Sequence, residues 1–303
     1  MGNIFGRPIE GGALKPVYVA NSQTDPARSA VQFIDENGNV YGIPQIDGKP
    51  RVSVVDYLYD IAEGNVPAHS SFSAFGERTA IAVVATGADI WTGVATTIPI
   101  PPDVGEQMTI VSTSANDDVG STGVTQVEIH YLDANGDEQT EIINMDGLNP
   151  VNTVATNIRF VQYIHTYALG TAYGAALGNI TLYKLGAAAT VYARIPIGAN
   201  ASLSSARMIP RAHTFYLLGG YSTATGNKPI ALRLRMTCSP EGVLTPGIWQ
   251  PYGTMFMDSS GLDLPFPIPI RVPAFTKIKV SAYATQAGGD ASVGWFGWIE
   301  END

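Results

Sequence analysis

From Thr125 to Met145 the chain reads TQVEIHYLDANGDEQTEIINM. Val127, Ile129 and Tyr131 alternate with Glu128, His130 and Leu132, so all but the closing Leu of this run divide into an apolar and a polar face. The Asn-Gly at the centre of DANGDE supplies the positive backbone angle that a tight reversal needs. A second two-sided run follows it, and the whole reads as an antiparallel hairpin.

Working outward, the same grammar recurs along the chain. TAIAVVA, QMTIVSTSA, IRFVQYIHTYA and NITLYKL precede Gly186, which with the alanines behind it marks a joint. TVYARIPI, HTFYLLGGYS, IALRLRMTC, GTMFMD, IPIRV, KIKVSAYA and SVGWFGWIE follow. Short strands separated by turn signals predict an all-β protein of one or two β-sandwich or jelly-roll domains. The expected boundaries are an extended N-terminal arm with a small hairpin and a short helix over 1–76, a first sandwich over 77–186 and a second over 187–303. In the arm, VQFI, DENGN and VYGI read as the hairpin. SVVDYLYDIAEGN (53–65) reads as the helix, with Ser53 as its cap, Asp56 near its positive end, Val54, Leu58 and Ile61 on one face and Gly64 as its stop. Ile4, Phe5 and Tyr18 are the arm's candidate assembly contacts.

Composition narrows the function. Only 15% of residues are charged against 45% hydrophobic, with 32 Gly and 20 Pro, and the net charge is −10. A free-standing nucleic-acid binder carries the opposite balance, because phosphate neutralisation needs clustered Lys and Arg. The single cysteine, Cys238, excludes an internal disulfide framework and a multi-cysteine zinc site, and reads as a small buried residue. No apolar run approaches the roughly 18 residues that span a bilayer. The N-terminus MGNIFGRPIEGG lacks the basic and apolar regions of a signal peptide, and Gly6 stands where myristoylation wants Ser or Thr. Synthesis in a reducing cytoplasm is expected, whatever the final location.

Chemistry-bearing patterns are sparse. DANGDEQTE resembles a calcium loop, but Gly136 is fourth rather than sixth and a strand begins where the loop would continue. NDDVGSTG (116–123) offers two adjacent carboxylates to a surface cation. Glu128 and Glu141 lie on paired strands, both at outward alternate positions, and read as a solvated face rather than a glycosidase pair. The four histidines, His69, His130, His165 and His213, are dispersed with no HxH or HxxxH spacing, so no metal or other cofactor is expected. There is no GxSxG elbow. Two stretches point instead to a subunit interface. GWFGWIE places Trp295, Phe296 and Trp298 on the two faces of one strand, either as a core strand covered on both sides or with one face left for a partner. LPFPIPIRVP, with Phe266, Pro267 and Pro269, cannot lie in a sheet centre because proline lacks a ladder donor.

The ordered series FGER (75–78), ADIW (88–91), EQMTIVSTSANDD (106–118), IHYLDANGDEQTE (129–141), MDGLNPV (145–151), NIRF, GNITL, ALRLRM and PAFTKIKVSA (273–282) resembles a family of virion structural proteins of tailed bacteriophages, common in marine phages. The similarity runs from about Val66 to Ile299. It departs from the family in the segment Pro273 to Ile278, which lacks acidic residues, and in the aromatic C-terminal strand. The resemblance implies a virion component and carries no catalytic residues, so no enzyme is expected. The role expected is head decoration or cement on the capsid exterior, in contact with the major capsid protein or other virion proteins, as a homo-oligomer with a trimer favoured. The alternative is a tail-associated or spike protein that adheres to host glycan.

Overall fold

The computed structural model describes residues 57–171, 174–225, 228–239, 241–257 and 261–302, together with five short strands before residue 57. Strand makes up 57% of the chain and helix 2%, so the protein is all-β. Its contacts divide it into two compact units, Met1–Asp60 and Ile61–Asp303.

In the first unit β1 (Lys15–Tyr18), β2 (Val31–Ile34) and β3 (Val40–Gly42) form an antiparallel sheet in that order. Phe33 lies opposite Tyr41, which is the hairpin expected from VQFI-DENGN-VYGI. Tyr18 ends β1 opposite Val31, while Ile4 and Phe5 lie outside the described residues. β4 (Gln45–Ile46) pairs with β5 (Lys49–Pro50). The helix α1 runs Tyr57–Ala62. Gly64, at φ +76°, donates to the Ile61 carbonyl at 3.0 Å and stops it as expected. Ile61 is buried and Leu58 exposed; Ser53, Val54 and Asp56 fall outside the described residues.

The second unit begins with β6 (His69–Ile81) and β7 (Ala88–Asp89), whose partners come last in the chain. Between them lie β8 (Met108–Ser112), β9 (Val124–Asp133), β10 (Glu138–Asn144), β11 (Val151–Asn152), β12 (Ile158–Leu169), β13 (Ile180–Lys184) and β14 (Ala187–Ile195). These build two sheets, β10-β9-β12 and β11-β8-β13-β14, over one core that includes Val127, Ile129, Ile164, Ile110 and Leu182. The remaining strands are β15 (Arg207–Met208), β16 (His213–Thr225), β17 (Ile230–Met236), β18 (Gln250–Met257), β19 (Gly261–Val272), β20 (Lys277–Ala284) and β21 (Gly289–Glu301). They form β15-β20-β17-β18, with β7 on β20, and β19-β16-β21-β6, over a second core around Phe215, Leu232, Val280 and Trp295. Every pairing is antiparallel. This division into four small sheets is propeller-like and not clearly the jelly roll that the sequence suggested.

Local chemistry explains the frame. In the turn between β9 and β10, Gly136 has φ +85°, and Asp133 Oδ1 accepts from the amides of Asn135 and Asp137 at 2.9 and 3.0 Å. The loop is thus a hairpin turn, with that carboxylate spent on its own backbone. In NDDVGSTG the buried Asp117 is equally committed. It accepts from Ser112 Oγ at 2.6 Å and from the amides of Val124, Leu177 and Gly178 at 2.9, 3.0 and 2.8 Å. That geometry pins three loops and takes Asp117 out of the acidic pair that the sequence offered to a surface cation. The second core also encloses an ion pair: Lys279 Nζ lies 2.8 Å from Asp89 Oδ2, while Ser281 Oγ donates to Asp89 Oδ1 at 2.7 Å. Such a buried pair is held by its hydrogen bonds as much as by charge.

The register of the hairpin corrects one expectation. Glu141 lies opposite Ile129 and Ile143 opposite Val127, so Glu141 shares the core side of the sheet rather than an outward face with Glu128. It sits at the margin, where its carboxylate accepts the amides of Val154 and Ala155 at 2.6 and 3.0 Å. Glu128 and Glu141 therefore occupy opposite sides of one sheet and cannot face each other across a sugar.

Candidate functional site

With Val127, Ile129 and Tyr131 committed to the first core, alternation puts Glu128 and His130 on the other face of β9. Pairing with β12 sets His165 beside Glu128 and Tyr163 beside His130. Glu128 Oε2 then lies 3.4 Å from His130 Nε2 and 3.2 Å from His165 Nε2. The His130 ring stacks on Tyr163 at 4.2 Å with 16° between planes. Burial outweighs the neighbouring carboxylate and holds the His130 imidazole below its usual value, favouring the neutral ring.

Next to Tyr163, Arg207 is locked in place. Its guanidinium lies 5.3 Å from the Tyr163 ring centre and donates to the carbonyls of Gln162, Ser204 and Ala206 at 2.7, 3.2 and 2.8 Å. Burial pulls Arg207 down to about 10, which leaves it charged at neutral pH. Gln162 in turn bonds both the amide and the carbonyl of Met208, tying β12 to β15. A cleft of about 810 Å³ is walled by Ser71 to Phe75 of β6, by His130, Glu138, Gln139, Gln162, Tyr163 and Arg207, and by Ala201 to Leu203.

The residues picked out from sequence as a subunit interface scatter over the β19-β16-β21-β6 sheet. Trp295 points into the chain's own core: it is 2% exposed, packs near Phe72 and Phe215, and donates from Nε1 to the Ser205 carbonyl at 2.8 Å. It offers no surface to a partner. Phe296 is 41% exposed on the opposite face, and Trp298 stacks on Tyr216 at 4.9 Å and 14°. A Cβ at Gly294 would collide with the Tyr221 ring, so glycine there lets that ring lie against the sheet. Phe266 is half-buried against the second core, Pro269 is half-buried, and Pro267 lies in β19 with its side chain outside the described residues. β19 is an edge strand, as its prolines require. Ile268 on β19 is 81% exposed, and Phe256 on β18, the edge of the facing sheet, is 83% exposed.

Sequence reasoning missed the Glu128–His130–His165 cluster. Its signals were present as Glu-x-His on β9 and Tyr-x-His on β12, each pair at the two-residue spacing of one strand face. Cys238 is buried, with its thiol pushed up by that burial, and is not poised as a nucleophile.

No model of a known protein family matches the chain, and no curated protein matches it significantly. Among solved structures, a chain of the infectious bursal virus derived T=1 particles is 10% identical over 78% of this chain and 74% of that one. Its TM-score is 0.14, too low for the overlap to bear on fold or role.

Proposed function

We propose that this chain is a non-enzymatic structural subunit of a tailed-phage virion. In this reading it decorates or cements the exterior of the head, built as sandwich or jelly-roll units that act through their surfaces. The observation that supports it is the pair of edge strands β18 and β19, which carry Phe256 and Ile268 almost fully exposed. Open strand edges with large apolar side chains are an aggregation hazard unless a partner covers them. A neighbouring copy or the major capsid protein supplies that cover, and closed symmetry, with a trimer favoured, leaves no edge unpaired. Labelled antibody against the protein, imaged on virions, is the test. Head-wide labelling is expected, and the absence of label from purified particles would sink the reading.

The cleft favours one second reading, adhesion to host glycan. Tyr163 and Phe75 beside Gln139, Gln162 and Arg207 combine ring faces with fixed polar groups. Label confined to one vertex, together with specific binding on a glycan array, would select it over decoration.

A further inference from the structure

We propose that Glu128, His130 and His165 bind one divalent transition-metal ion of the zinc class, with a fourth position left for a ligand from outside the chain. The three side chains bring one carboxylate oxygen and two imidazole nitrogens within 4.8 Å of one another. In tetrahedral zinc, with bonds of about 2.0–2.1 Å, neighbouring ligand atoms stand about 3.3 Å apart. The two measured separations from Glu128 Oε2, 3.4 and 3.2 Å, already have that length. Small rotations of the rings would close the third. Two nitrogens and one oxygen suit zinc, cobalt or nickel rather than calcium or magnesium, which prefer all-oxygen shells.

A second observation points the same way. His130 Nε2 is a buried atom that faces the Glu128 carboxylate at 3.4 Å without the geometry of a well-formed hydrogen bond. Leaving a buried polar atom unsatisfied is costly, and a metal ion would satisfy it together with the carboxylate. The site is also preorganised. All three ligands stand on paired strands rather than loops, and the His130 ring stacks on Tyr163, whose own ring lies against the Arg207 guanidinium. His165 Nδ1, by contrast, has no partner to orient it. Missing support of that kind typically costs about 10–100-fold in affinity, so the ion binds more weakly here than where both imidazoles are held. Bound, it would cross-link β9 to β12 and offer its open position to water or another oxygen donor.

The test uses the full chain, freed of metal with a chelator and titrated with Co²⁺ and then Zn²⁺. One equivalent of cobalt should give the intense visible bands of a low-coordinate ion, and zinc should displace it. His165→Gln and Glu128→Gln should each lose binding by more than about the 100-fold that an outer-sphere defect costs, with unchanged circular dichroism. His213→Gln, a remote histidine, should keep it. Zinc should raise the melting temperature of the parent protein but not of His165→Gln. The proposal is overturned if cobalt gives no such bands, or if His165→Gln binds as well as the parent. His165 is the most exposed of the three, so its variant remains informative even if a His130 variant fails to fold.

Discussion

Asp117 illustrates how much one side chain can organise at the residue scale. Its two oxygens take four donors from three separate stretches of chain, and three of those four bonds are buried. Replacing it by alanine strands those donors, at about 1–3 kcal/mol for each one left unsatisfied. Asp117→Ala is therefore expected to lose more than about 3 kcal/mol in urea unfolding. Asp117→Asn, which keeps one acceptor oxygen, should lose less. A loss below about 1 kcal/mol for the alanine variant would mean that water reaches these groups. Sequence alone showed an acidic loop here, because composition cannot distinguish a carboxylate facing solvent from one folded back on amides 60 residues away.

At the scale of elements, the strands were readable and their registers were not. β9 was transparent because its apolar residues fall strictly on alternate positions. β10 was ambiguous because Ile142 and Ile143 are adjacent, and either could have faced the core. The structure buries Ile143 and leaves Ile142 45% exposed, and that choice carries Glu141 to the core side. The meeting of His130 with His165 depends on a β9–β12 ladder with several register shifts, which no residue pattern announces. The edge strands lead to a prediction. Phe256→Lys combined with Ile268→Lys should leave the melting temperature within a few degrees, since both side chains are exposed. Light scattering should find the parent protein trimeric and the double variant monomeric. A parent that is monomeric both in solution and on particles would refute the oligomer.

On the scale of the whole molecule, the split after Asp60 separates a small strand unit from one that holds both large cores. A chain covering residues 61–303 is expected to keep a strand-dominated circular dichroism spectrum and a cooperative melt, yet to fail to join particles. Incorporation at full occupancy would show that residues 1–60 are dispensable for assembly. The order of the strands has a further consequence. β6 is made about 210 residues before β21, yet among the described residues its ladder is with β21 alone. At about 5–20 residues per second, roughly 10–40 s separate their synthesis. The sheets of β8 to β14 can close during that interval, whereas β6 must wait for its ladder partner. Translation that ends before Gly289 never supplies β21, which lies between β16 and β6. Ribosomal processivity thus becomes a condition for solubility, and shortened products would be the ones that chaperones and proteases must remove.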